Sequence, residues 1–235
     1  MGLFTILVFL FWLKTLLAYF VDFRLGAEGV FQYFILLINP IATTIFMFGL
    51  AFYFKRSRFF YPILMALYIG NTVLLYLNVI YFREFTDFMT VATMTGYSKV
   101  DQGLSGSSLA LTNVHDILYW IDIVIILLMM LFRKIKFDPR GVNHRMAFAI
   151  TSVAVTLFGV NLSLGEMSRP QLLTRTFDRT YIVKYLGVDA FTIYDGIKSQ
   201  HTSNMRKSAT KSELEAVKKF TDAHYASPNK SMYGI

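Results

Sequence analysis

The chain reads as an all-α membrane protein of five transmembrane helices, with a cytoplasmic N-terminus and with interfacial and juxtamembrane helices in an extracytoplasmic tail. Three observations predict this. Hydrophobic residues make up 55% of the 235 positions and charged residues only 16%, against about a quarter charged in soluble domains. The apolar residues gather into five long runs instead of following a helix or strand period. Basic residues are also shared unequally between the loops on the two sides.

A hydrocarbon core about 30 Å thick takes roughly 20 residues of helix, at about 1.5 Å per residue. Five runs meet that length or come close: about 3–21, 31–54, 59–82, 117–132 and 146–164. The first has no basic segment before it, is too long and aromatic for a leader core, and continues into Asp22-Phe23-Arg24. It is therefore a retained span. The fourth is the shortest, and His115 and Asp116 make its start polar.

Orientation follows from the loops. Lys55, Arg56 and Arg58 lie between spans two and three, and Arg133, Lys134, Lys136, Arg140 and Arg145 between four and five. The opposite loops hold only Arg24, Arg83 and Lys99. The N-terminus is thus expected in the cytoplasm and the tail outside. Arg169, Arg175 and Arg179 follow the fifth span on the outer side, but long tails translocate largely regardless of charge.

Three segments result: a membrane domain at 1–166, juxtamembrane interfacial helices at 167–198, and an extracytoplasmic linker at 199–235. In the outer loop, 85–91 suits a short interfacial helix, and Gly103 to Ser108 is a flexible Gly/Ser stretch. Residues 172–197 mix charges with Phe177, Tyr181, Tyr185, Phe191 and Tyr194, which suits helices at headgroup depth. Ser199 to Lys211 is polar and linker-like. Ser212 with Glu215 forms a capping box that opens a helix ending near Tyr225, with Leu214, Val217 and Phe220 as its apolar stripe. So narrow a stripe suggests a neighbouring domain beyond Ile235.

Ionisable groups within apolar spans are functional candidates. Lys14 stands eight residues before Asp22, and Asp122 six residues after Asp116. Lys14 therefore lies roughly 12 Å below the outer surface, and Asp122 at a similar depth. A Lys14–Asp122 pair is within reach, either as a structural contact or as the lining of a polar cavity. Asn71 and Asn78, seven apart, share a face of the third span and suit hydrogen bonds between helices. Asp22, Arg24, Glu84, Asp87, Asp116, Glu166 and Arg169 gather at the outer surface, with Arg175 and Arg179 beyond them. They form either a solvated rim or a lipid headgroup site, with arginines on phosphate and carboxylates on hydroxyls.

Other chemistries are absent. The chain has no cysteine, which excludes disulfides, thiolate metal sites and cysteine nucleophiles. Its four histidines lack metal-ligand spacing, so no metal or other cofactor is expected in this stretch. No Gly-rich phosphate loop or G-x-S-x-G elbow occurs. The net charge of +8 points to anionic lipid rather than nucleic acid. No internal repeat supports an inverted-repeat transporter.

Several stretches resemble the lipoteichoic acid synthase family. They are Val21 to Gly26, Leu36 to Pro40, Leu77 to Phe88, and above all Arg169-Pro170-Gln171-Leu172-Leu173-Thr174-Arg175-Thr176-Phe177-Asp178, continued by Lys184 to Gly187. Tyr194-Asp195-Gly196 and Tyr233-Gly234 fit as well. The resemblance covers nearly the whole chain. It implies a five-helix membrane domain preceding an extracellular sulfatase-like domain with a threonine nucleophile and manganese. It also implies transfer of glycerol phosphate from phosphatidylglycerol to a glycolipid-anchored chain, as a synthase or a primase, in the bacterial cell membrane. No catalytic residue transfers to this sequence, so this stretch alone is expected to be inactive. Cleavage by signal peptidase, which the resemblance also implies, would fall at Ser208-Ala209-Thr210, where threonine at −1 matches poorly. Alternative readings are an assembly module that docks other envelope-synthesis proteins, or a small lipid transporter.

Overall fold

A computed structural model of the chain describes residues 2–54, 57–97, 112–132, 144–170, 172 and 179–224. Among these no strand occurs, and five helices are long and apolar enough to cross a membrane. The chain is thus an all-α, multi-pass membrane protein. It divides into two compact units, Met1–Ile193 and Tyr194–Ile235.

Helix α1 (Gly2–Leu17) is apolar almost throughout, and its buried positions Leu7, Phe11, Lys14 and Thr15 fall on one helical stripe. It widens into a π-helical turn at Ala18–Asp22. There the Phe23 amide donates to Ala18 O at 2.8 Å and the Leu25 amide to Tyr19 O at 2.9 Å. Arg24, at φ +47°, reverses the chain in the left-handed conformation that often ends helices.

Helix α2 (Val30–Gly49) carries Pro40 inside it. The carbonyl of Pro40 accepts the Thr44 and Thr43 hydroxyls at 2.5 and 3.3 Å. A 3₁₀ turn, Leu50–Tyr53, ends this span. Helix α3 (Ser57–Phe85) is followed by α4 (Val91–Tyr97). After a 3₁₀ turn at Val114–Asp116 come α5 (Ile117–Leu131), α6 (His144–Ser168), α7 (Arg179–Leu186) and α8 (Val188–His224).

Helix α2 is the hub of the first unit, packing most widely on α6 and next on α1. Gly49 makes the α2–α6 approach possible: a Cβ there would meet Ile150 Cγ2 at 2.9 Å, inside contact distance. Clusters of aromatic rings, most of them packed edge to face, join the helices. Phe11, Phe48 and Tyr68 link α1, α2 and α3, with centroids 5.5 to 6.3 Å apart. Phe23, Phe82 and Phe88 form a tighter cluster at the Asp22 end, at 4.8 to 5.2 Å.

Three expectations need correction. The short helix expected over 85–91 begins only at Val91, because Thr90 accepts the Thr93 amide at 3.1 Å and acts as its N-cap. The segment before it is instead held by side chains: the Met89 amide donates to Asn78 Oδ1 at 3.1 Å and the Phe88 amide to Asp87 Oδ1 at 2.8 Å. Residues 199–211 are helical, and Ser212 lies within α8 instead of opening a new helix. That stretch is polar but has neither proline nor glycine to break a helix. The juxtamembrane segment packs closely on the bundle, with Ile182, Val183, Tyr185, Leu186, Val188 and Phe191 at 3% exposure or less. Finally, the amide of Asn71 bonds within its own helix, to Leu67 O at 2.8 Å, and not to a neighbouring helix. The Asn78 amide does the same with Leu74 O, while its oxygen holds the Met89 segment.

Several expectations fall outside the described residues. They include the Gly103–Ser108 stretch, Arg175, Tyr233-Gly234, and the orientation-setting residues Lys55, Arg56, Lys99, Arg133, Lys134, Lys136 and Arg140.

Candidate functional site

Among the described residues of the first unit, polar groups gather at three places. The deepest joins α1, α3 and α5. Lys14 Nζ stands 2.9 Å from Asp122 Oδ1, with the side chains 5% and 14% exposed. The same ammonium donates to Thr72 Oγ1 at 3.2 Å and lies 4.6 Å from the Tyr68 ring centroid. Tyr68 donates its hydroxyl to the other Asp122 oxygen. The anticipated pair therefore exists, and its charges are matched by hydrogen bonds on both sides. It ties three spans together.

The second cluster lies at the Asp22 end of the same three helices, with Arg83 at its centre. Its fork donates to both oxygens of Asp116, Nη1 to Oδ2 at 2.8 Å and Nη2 to Oδ1 at 2.6 Å. Nε and Nη2 also reach Asp22 Oδ1, at 3.0 and 2.5 Å. Tyr119 donates to Asp22 Oδ2 at 2.6 Å, and Tyr76 to Asp116 Oδ2 at 3.1 Å. His115 Nε2 approaches Arg83 Nη2 to 3.0 Å and Asp22 Oδ1 to 3.2 Å.

Ligand atoms of Asp22, His115 and Asp116 lie within 4.8 Å of one another, close enough to surround a cation. The guanidinium of Arg83 already lies between the two carboxylates, so the arrangement does not suit a metal ion. For the same reason Arg83 has no free fork for a lipid phosphate. Two carboxylates thus face one guanidinium, with the imidazole of His115 beside them.

The third place is where α7 docks. Asn39 of α2 donates its amide to Lys184 O, and Asn161 of α6 donates to Tyr185 O, both at 2.9 Å. These side chains satisfy carbonyls that the end of α7 would otherwise leave open. Both asparagines are fully buried, and neither Oδ1 has a hydrogen-bond partner among the described residues. Gly187 follows at φ +96°, where a Cβ would meet Tyr19 Oη at 3.2 Å and Asn39 Oδ1 at 3.4 Å. The Val188 amide donates to the Tyr19 hydroxyl at 3.3 Å.

Asp189 is buried beside this corner, and burial pushes its carboxyl up to about 7 from 3.8. The fold therefore holds a proton that the unfolded chain has lost between those pH values. Stability is fully present below about pH 4 and falls as pH rises to about 7. Asp189→Asn should remove that slope. Its melting midpoint should match the parent's near pH 4 and exceed it above pH 7, measured by thermal unfolding across that range.

The predicted headgroup residues separate. Asp116 lies inside the Arg83 cluster. Arg24 and Glu84 are exposed. Glu166 is half-buried and interacts within the fold. Arg169 is exposed, its guanidinium 3.6 Å from the Tyr181 ring centroid. Arg179 pairs with Asp87, each about 40% exposed, and so ties α7 to the turn after α3. Ser208, Ala209 and Thr210 lie within α8, so a protease would meet helical backbone there. Sequence reasoning missed Arg83 as the centre, along with Tyr76 and Tyr119. The available signal was spacing: Tyr76 and Arg83 are seven apart on α3, and Asp116, Tyr119 and Asp122 follow at steps of three.

The family model for the lipoteichoic acid synthase N-terminal domain matches residues 1–208. Lipoteichoic acid synthase 1 of Bacillus subtilis (strain 168) is 36% identical over 234 residues, covering 100% of this chain and 36% of that protein. The lipoteichoic acid synthase of Staphylococcus saprophyticus is 36% identical over 222 residues, covering 94% of this chain and 34% of that protein. That of Staphylococcus aureus (strain NCTC 8325 / PS 47) is 35% identical over 226 residues, covering 95% and 34%. The chain thus spans about a third of the length of these relatives. No solved structure matches it at a significant level. A match of this extent, on a five-span helical bundle, means that the chain belongs to the lipoteichoic acid synthase N-terminal domain family.

Proposed function

We propose that the chain is the membrane-embedded part of a glycerol phosphotransferase, which takes glycerol phosphate from phosphatidylglycerol and adds it to a glycolipid-anchored chain. The observation that carries this reading is the whole-chain similarity to proteins named as lipoteichoic acid synthases. In this reading the bundle anchors a sulfatase-like, manganese-dependent catalytic domain and holds lipid substrate near it. The gain is proximity: a lipid kept at the surface reaches the reacting centre without a new diffusional search. The loop charges favour a cytoplasmic N-terminus and an extracytoplasmic tail.

The arginines suited to a lipid phosphate are Arg169 and Arg175, since Arg83 is fully engaged by carboxylates. The purified chain should retain phosphatidylglycerol in native mass spectrometry, and Arg169→Ala or Arg175→Ala should lower the retained fraction several-fold, by about the strength of one charged hydrogen bond. Retention with no preference over other anionic lipids would sink the substrate-holding role. The chain by itself should also make no polymer, and glycerol phosphate transfer by it would overturn this division of labour.

A second reading is a docking module for envelope-synthesis partners, including signal peptidase. It is favoured by the exposed stripe of Leu214, Val217 and Phe220 on the second unit, each more than half exposed. Pull-down of partner proteins that is abolished by Leu214→Asp and Phe220→Asp would separate the two.

A further inference from the structure

Three breaks in helical regularity meet inside the first unit. The π-helical turn of α1 carries Tyr19. In α2, Asn39 precedes Pro40, which has no N–H, so the carbonyl of buried Leu36 loses its usual helical donor. Gly187, at φ +96°, divides α7 from α8. Irregular backbone among membrane helices is tolerated where protein buries it or where it lines a polar site, and π turns gather at functional sites.

The side chains at this meeting point leave oxygens without donors. Asn39 Oδ1 and Asn161 Oδ1 are buried and have no hydrogen-bond partner among the described residues. Neither amide gains by turning its nitrogen to that side, because each Nδ2 is engaged by a carbonyl, of Lys184 or of Tyr185. Tyr19 Oη and Asn39 Oδ1 border one point, 3.2 and 3.4 Å from the place a Cβ of Gly187 would take, and glycine keeps that point open. The Tyr19 oxygen accepts the Val188 amide and retains a second lone pair.

Charge restricts the occupant. Asp189, 6% exposed, follows two residues after Gly187, close enough for its charge to act on the Tyr19 hydroxyl. Among the described residues it has no ion pair or hydrogen bond, and burial alone shifts its carboxyl upward. Lys184 forms no ion pair with it, and that ammonium lies 6.0 Å from the centroid of the Tyr185 ring. An isolated buried carboxylate is costly and calls for a counter-charge. One carboxylate balances one positive charge, whereas a divalent ion would leave the interior charged. Amide and phenol oxygens are hard donors that suit a hard metal ion, and oxygens at helix breaks hold sodium in membrane transporters.

We propose that the corner formed by Tyr19, Asn39, Asn161 and Asp189 binds a sodium ion, with Asn39 Oδ1, Asn161 Oδ1 and Tyr19 Oη as ligands and the Asp189 carboxylate as counter-charge. The inference rests on the fold of the first unit and not on the phosphotransfer reading.

The test is thermal unfolding of the full chain in nonionic detergent at about pH 8, where the Asp189 carboxyl is ionised. Sodium chloride is exchanged for choline chloride at constant ionic strength. Sodium at roughly ten times its dissociation constant should raise the melting midpoint by about 3–6 °C, and the dependence on concentration gives that constant. Tyr19→Phe, which keeps the ring and loses one ligand, should weaken sodium binding about tenfold. Asp189→Asn should melt above the parent in choline, which shows that it folds, and should gain nothing from sodium. Equal midpoints of the parent in sodium and choline would mean that ordered water alone completes the two amide oxygens, and would overturn the assignment. So would a larger rise with magnesium, or a sodium response that persists in Asp189→Asn.

Discussion

Lys14→Met alone should lower stability by about 3–5 kcal/mol, because it leaves Asp122 without its cation between three helices. Asp122→Leu alone should cost a similar amount by leaving the ammonium of Lys14 with only Thr72 and the Tyr68 face. The double variant should recover to within about 1 kcal/mol of the parent or exceed it, since apolar replacement of a buried pair is often neutral or stabilising. Unfolding in mixed micelles by titration with a denaturing detergent measures all three. The outcome also separates two roles for the pair. If it only ties α1, α3 and α5 together, the double variant retains lipid and folds like the parent. A stable double variant that has lost lipid binding would mean that the charges line a ligand cavity instead.

The largest effect expected at the Asp22 end is that of Arg83→Leu. It would leave Asp22 and Asp116, 3% and 7% exposed as side chains, facing each other without a cation. Loss of about 3–5 kcal/mol is expected. Arg83→Lys should recover only part of it. A single ammonium cannot reproduce the fork that spans both Asp116 oxygens while reaching Asp22. His115 does not substitute for the guanidinium, because its single ring nitrogen, 3.2 Å from Asp22 Oδ1 and 3.6 Å from Asp116 Oδ1, cannot span both Asp116 oxygens as the fork does. Adding Asp22→Asn to Arg83→Leu should restore part of the stability by removing the repulsion. If Arg83→Leu melts at the parent temperature, the cluster is a solvated rim and contributes nothing to the fold.

The five spans were legible because bilayer thickness imposes a run length that composition alone reveals. Depth arithmetic on Lys14 and Asp122 also anticipated a contact between residues more than a hundred positions apart. Arg83 was harder to read. At a span's end it resembles an ordinary interfacial arginine, and its partners lie 61 and 33 positions away. Asn39 and Asn161 carried even less signal, since an asparagine inside a span gives no hint of which distant carbonyl it serves. The continuity of α8 through 199–211 was misread for a different reason. Serine and threonine lower helix propensity by only a few tenths of a kcal/mol each, so a polar stretch without glycine or proline can remain helical. Arg169, in contrast, is exposed, with its guanidinium stacked on Tyr181.

The docking of α7 also has a mechanical consequence. Asn39 and Asn161 grip adjacent carbonyls of one short helix from α2 and α6, and Tyr19 of the first span takes the amide just beyond. A pull on the opening turns of α8 would therefore be shared by three spans, since one contact from each holds the corner.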